Sequence, residues 1–226
     1  MTNIPLPSKM HKSWHPFIQP LFNDNRFKPI IHIIKNNVNR CPSDNESIFK
    51  IFRMSLFDIR VVIVGEYPYP DNTYNTGIAF AVPKDENITH TLHVIQSELQ
   101  NNYDTALQPN LTTWLTQGVF LINRVFTCEI HKPMIHKQQW KWFTEELIKI
   151  IVTERTGLHF VLWGDEAREL SVLINKQFHY VYQSAHPSAE IEGKNIVTNG
   201  FYGTKVFVKI NKNIRRSNGT EYEIKW

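Results

Sequence analysis

Cysteine is scarce, long apolar runs are missing, and no segment repeats. Two cysteines among 226 residues, Cys41 and Cys128, exclude a disulfide framework and a four-cysteine cluster. They read as two unpaired thiols in a reducing compartment. No apolar stretch approaches the roughly 20 residues that span a bilayer. Met1 to Met10 lacks the apolar segment of a signal peptide. A cytoplasmic protein is expected, with no membrane partner and with bacterial, phage or viral origin unresolved. His131 and His136 are five apart on a loop, a spacing that matches no usual ligand pattern, and no metal or cofactor is expected. With no low-complexity tract and no linker, residues 1–226 read as a single domain whose first 12 residues form a loose arm.

What is present is ordinary in bulk: 42% hydrophobic and 20% charged residues, a formal charge of +4 and a pI near 9.0. That mild basicity permits a polyanionic partner without requiring one. The pattern is more telling. Val61-Val62-Ile63-Val64-Gly65 is a β-branched run that stops at a glycine, followed by Glu66-Tyr67-Pro68-Tyr69-Pro70. This predicts a buried strand ending in a tight turn. Gly118 to Asn123, His159 to Trp163 and His179 to Tyr182 predict three more strands. Gly77 to Val82 predicts another short one. Helices are expected over Ser13–Phe22, from Pro29 to Val38, over Ser47–Phe57, Thr89–Leu99, Leu111–Thr116, Trp140–Val152 and Glu166–Ile174. Strands alternating with helices predict an α/β fold with a central, largely parallel four-stranded sheet flanked by helices on both faces. Ligands then bind at the carboxyl ends of the strands. Glu66, Asn123 and His186 all fall there.

In chain order, Gly65 to Pro70, Gly77-Ile78-Ala79-Phe80, Gly118 to Asn123, Leu162-Trp163-Gly164 and His186-Pro187-Ser188 resemble the motifs of the common uracil-DNA glycosylase family. That family carries Gly-Gln-Asp-Pro-Tyr-His, Gly-Leu-Ala-Phe, a leucine-rich strand ending in Asn, Leu-Trp-Gly and His-Pro-Ser-Pro-Leu. Trp114 to Gly118 and Phe201-Tyr202-Gly203 extend the resemblance. It implies a DNA repair enzyme that flips uracil out of single- or double-stranded DNA and hydrolyses its N-glycosidic bond. Asn123 would read the base edge, Phe80 would stack on it, and Tyr69 would exclude a C5 methyl. His186 would donate to the uracil oxygen that becomes negative. Thr89, Thr91 and Ser188 would contact DNA. A proteinaceous inhibitor that mimics DNA is a further implied partner, and the family is typically monomeric.

Four positions depart from the family. Tyr67 stands where the water-activating Asp belongs, and a phenol with a pKa near ~10 is neutral at pH 7. Glu66 replaces Gln, at the position where a related iron–sulfur branch carries its acid, so Glu66 is the candidate base and Tyr67 lines the substrate pocket. Pro70 replaces His. Glu190 replaces the Leu that wedges into DNA, with Ile191 next in line. The loop at Asn87 to Thr91 lacks the family's prolines, and Lys194, Lys205, Lys209, Lys212, Arg215 and Arg216 are the cations that could compensate. Two other readings stay open: a glycosylase fold that binds DNA or a partner protein without efficient excision, and a glycosylase for a modified pyrimidine.

Overall fold

The structure, a computed structural model, describes residues 4–189 and 200–226. In chain order the elements are α1 (His15–Asn23), α2 (Lys28–Asn36), β1 (Arg40–Cys41), α3 (Asn45–Ile48), β2 (Val61–Gly65), α4 (His90–Gln100), α5 (Thr112–Leu115), β3 (Val119–Asn123), β4 (Cys128–Glu129), α6 (Lys137–Glu154), β5 (His159–Trp163), α7 (Asp165–Arg168), β6 (Tyr180–Ser184) and α8 (Val206–Asn218). Four strands form a parallel sheet in the order β3-β2-β5-β6. β1 and β4 make a separate two-stranded antiparallel ladder.

β2 and β5 are central and buried along their whole length, which is why they read as unbroken apolar runs. Side chains alternate between the two faces. Phe120 meets Trp14 and Phe52 on one face. Trp163, of opposite parity in the register, meets Phe201 and Phe207 on the other. Both faces are therefore covered. A second aromatic cluster, Phe22, Phe27, Phe126, Trp140 and Phe143, fixes α6 against the N-terminal helices. The N-terminal arm is tied down from residue 4: Ile4 N–H donates to Asn23, Gln19 donates back to the Ile4 carbonyl, and Met10 is buried.

Two expected elements take other forms. The stretch from Gly77 to Val82 is a series of turns. Gly77 has φ +76°, and a Cβ there would stand 1.9 Å from the Ser47 carbonyl oxygen. Thr76 Oγ1 lies within hydrogen-bond reach of Ile78 N–H and of the carbonyls of Ile78 and Ala81. Phe80 itself is left-handed, φ 66°. Local side-chain bonding thus overrides the apolar pattern. The expected helix over Ser47–Phe57 breaks into α3 and two 3-10 turns, Lys50–Arg53 and Leu56–Asp58. Met54 and Ser55 are extended between them; Ser55 caps the second turn, and Ser13 Oγ takes the Leu56 N–H. Of the basic residues expected as surface cations, Lys209, Lys212, Arg215 and Arg216 lie on α8, and Lys205 immediately precedes it. Its apolar residues Val206, Phe207, Ile210 and Ile214 are buried.

Candidate active site

The carboxyl ends of β3, β2, β5 and β6 lie side by side, so Asn123, Glu66, Gly164 and His186 share one edge. The main chain stays paired past the strands: Arg124 N–H donates to Gly65 O (2.8 Å) and Val125 N–H to Glu66 O (2.9 Å). Each of the two central strands ends at a glycine, and each glycine makes room for a pair of side chains. A Cβ on Gly65 would lie 2.7 Å from Asn123 Oδ1 and 3.1 Å from Phe80 Cζ. A Cβ on Gly164 would lie 2.5 Å from Glu66 Oε1 and 3.1 Å from His186 Cβ. The first pair is an amide beside an aromatic ring. The second is a carboxylate beside an imidazole.

The left-handed Phe80 costs about 1 kcal/mol or more and persists because its surroundings hold it. Its ring packs edge-on against Trp163 at 5.2 Å and lies 5.8 Å from His186, tilted by 34°. Tyr69 is fixed across the slot. Its hydroxyl donates to Phe80 O (3.0 Å) and shares a hydrogen bond with Thr89 Oγ1 (2.8 Å). Burial raises the Tyr69 phenol pKa above its ordinary value.

His186 is held in one tautomer. Ser188 N–H donates to its Nδ1 at 3.1 Å, and Ser188 Oγ lies 2.7 Å from the same nitrogen. A main-chain N–H can only donate, so Nδ1 presents its lone pair and the neutral ring carries its proton on Nε2. Burial pushes the His186 pKa down to about 4, which keeps the ring neutral at pH 7. The residue is therefore a positioned N–H donor without a net charge.

Burial acts on Glu66 in the same sense, favouring the neutral form. Its carboxyl pKa is raised, first by burial, then by Glu166 and Asp165; Lys137 opposes them. Lys137 Nζ pairs with Glu166 Oε1, while Glu166 Oε2 is buried with no hydrogen-bond partner among the described residues. Tyr67 is half-buried beside Glu66, and burial, Glu66 and Cys128 all raise its pKa, so it stays a neutral phenol. Behind the turn, the Cys128 thiol donates to Pro68 O at 3.4 Å, and burial pushes its pKa to about 12. Such a thiol is an inert wall.

Glu66, Tyr67, Tyr69, Phe80, Asn123 and His186 thus come together. Thr89 caps α4, accepting Leu92 N–H, and spends its hydroxyl on that bond and on Tyr69. Thr91 is half-buried in the first turn of α4. Ser188 is engaged with His186. Glu190, Ile191 and Lys194 lie outside the described residues. Sequence reasoning missed Lys137, Asp165 and Glu166 as neighbours of Glu66; only Gly164 carried a signal, as the last residue of Leu-Trp-Gly. Among the described residues no His, Cys, Asp or Glu cluster could hold a metal ion, and no helix is long and apolar enough to cross a membrane.

A phenyl ring, an amide, a fixed tyrosine, a neutral imidazole donor and a carboxyl group thus gather at the carboxyl edge of a parallel α/β sheet, the edge at which such folds bind ligands. The comparisons with known proteins agree. The family model for the uracil DNA glycosylase superfamily matches residues 53–203. Uracil-DNA glycosylase 1 of Bacteroides fragilis is 34% identical over 224 residues, covering 96% of this chain and 99% of the relative. Uracil-DNA glycosylase of Borrelia turicatae is 34% identical over 218 residues, covering 93% and 96%. A single-residue variant of mimivirus UNG, solved in complex with UGI, superposes with a TM-score of 0.86 at 25% identity, covering 99% of this chain and 91% of that one. The chain belongs to the uracil-DNA glycosylase superfamily.

Proposed function

We propose that the protein removes uracil from DNA by hydrolysis, leaving an abasic site. One observation supports the reading: an amide, a ring, a neutral imidazole donor and a carboxyl group stand together at the carboxyl edge of the sheet. The target nucleotide leaves the stack and enters between Phe80 and its opposite wall. The Asn123 side chain offers an acceptor and donors to the imide edge. Tyr69, its hydroxyl tied at both ends, leaves no space for a C5 methyl.

The C1′–N1 bond breaks with its electron pair leaving on the base. The charge gathers on an exocyclic carbonyl oxygen of the base, where His186 Nε2–H donates; a donor of this kind contributes roughly 10²–10³ in rate. A neutral donor suits this role because it stabilises the anion without giving up its proton. Glu66 faces the sugar, balances its developing positive charge and orients water toward C1′. The water oxygen bonds to C1′, and its proton passes through Glu66 to the base anion. The role that the family gives to an Asp at Tyr67 moves by one residue, and Gly164 supplies the space that Glu66 occupies.

DNA is the partner this reading requires, with Ser188 and the start of α4 beside the entrance. An inhibitor protein that imitates DNA would cover the same edge. A second reading has its own support: Tyr67, a neutral phenol, stands where the family carries its Asp, and burial raises the Glu66 pKa. Such a turn would bind DNA or an inhibitor without efficient excision. Single-stranded DNA bearing one uracil, incubated with the protein and probed for alkali-labile sites, separates the two. Cleavage at uracil and none at thymine supports excision; intact DNA with retained binding supports the second reading.

A further inference from the structure

At the amino edge of the same sheet, six residue steps down β2 from Glu66 and so about 20 Å away at roughly 3.3 Å per residue, lies a second cavity. It has a volume of about 810 Å³. Lys50, Arg53, Arg60 and Arg155 line it against one carboxylate, Asp58. Of these cations only Arg53 has an ion-pair partner among the described residues, Glu46 at 2.9 Å, and Glu46 is already shared with Lys9. Arg60 donates to the carbonyls of Gln117 and Tyr222, and Arg155 to that of Phe57. Carbonyls satisfy N–H groups but do not cancel charge. Lys50 is half-buried and has no hydrogen-bond or ion-pair partner among the described residues. Burial and then Arg53 hold its pKa below the usual lysine value, opposed by Asp44.

Arg60 and Arg155 tie distant segments through these bonds, but gathering their charges with Lys50 in one hollow is costly, because like charges repel and lose water there. A bound anion would relieve both. The rim adds a recognition element: Phe57 is 55% exposed beside the arginine that bonds its own carbonyl. We propose that this cavity binds a nucleoside phosphate, with its phosphates on Lys50, Arg60 and Arg155 and its base against Phe57. The size suits such a ligand, and the site is independent of the carboxyl-edge slot.

Titration calorimetry of the full chain at low salt, with ADP and with inorganic pyrophosphate as probes, tests this. One site is expected for each. Lys50→Ala and Arg155→Ala should each weaken both probes at least tenfold, in line with charge-assisted hydrogen bonds. Phe57→Ala should weaken ADP alone. A saturating uracil-containing oligonucleotide should leave ADP binding unchanged. Melting temperature verifies each variant's fold, and Lys50→Gln, Arg155→Gln or Phe57→Leu replaces the corresponding alanine variant if it fails to fold. ADP binding that survives the Lys50 and Arg155 changes, is displaced by the oligonucleotide, or does not occur in wild type overturns the proposal. Equal effects of Phe57→Ala on both probes overturn its nucleoside part.

Discussion

Replacing Gly164 by alanine adds one methyl group where two functional side chains meet. Two costs follow from the geometry. The backbone there has φ +88°, a region that charges an L side chain roughly 1–2 kcal/mol. For a chain of this size that lowers the melting temperature by roughly 2–8 °C. The second cost falls on the site. The new Cβ would stand 2.5 Å from Glu66 Oε1 and 3.1 Å from His186 Cβ. The carboxylate is the flexible partner, so it moves by about 1 Å, enough to misplace a reacting group and cost about 10²-fold in rate. Single-turnover excision, measured well below the melting temperature of both proteins, should fall by about 100-fold with binding of uracil-containing DNA retained. A variant that melts earlier yet excises at the wild-type rate would refute the placement of Glu66 against Gly164 as the working geometry.

Removing the neighbouring negative charge in Glu166→Gln should lower the Glu66 pKa and move the acid limb of the pH–rate profile to lower pH, because Glu166 is the leading charged group that raises it; Lys137→Met should move the limb the other way. His186 and His159 both titrate at about 4 when folded, against an ordinary 6.5, chiefly through burial. Depressed folded values mean the unfolded chain takes up these protons first, so this stability is complete above about pH 6.5 and is lost as pH falls toward 4. The loss is at most about 3 kcal/mol per ring, less for His186, whose ring edge meets solvent; urea midpoints at pH 7 and pH 4.5 measure it. Glu98 is fully buried and accepts from Gly203 N–H, Thr204 Oγ1 and Lys205 N–H. Glu98→Ala strands these donors and should cost about 2–4 kcal/mol in chemical denaturation.

The strand ends were legible because buried parallel strands write themselves as β-branched runs, and the residue after each run falls on the ligand-binding edge. Glu66, Asn123 and the segment leading to His186 were found that way. Phe80 was recognised as a candidate but placed on a strand, because apolar content carries no sign of Thr76 bonding the local backbone or of a left-handed φ. The helix expected from Ser47 to Phe57 failed for a similar reason: Ser13, forty-three positions away, caps a turn within it. α8 had a readable apolar stripe, Val206, Phe207, Ile210 and Ile214, masked by the lysines and arginines between. The charges that tune Glu66 were illegible in principle. Lys137 and Glu166 lie 71 and 100 positions from it and meet it only where adjacent strands end.

Glu66 is the proposed base in a turn that carries Tyr67 where the family has its Asp. Single-turnover excision of uracil by wild type, Glu66→Gln and Tyr67→Phe, with DNA binding measured in parallel, tests that directly. The expected result is excision by wild type, retention within a few-fold in Tyr67→Phe, and a loss of roughly 10²–10⁴ in Glu66→Gln, the usual worth of a general base. Undiminished excision in Glu66→Gln, or its loss in Tyr67→Phe alone, would contradict the assignment.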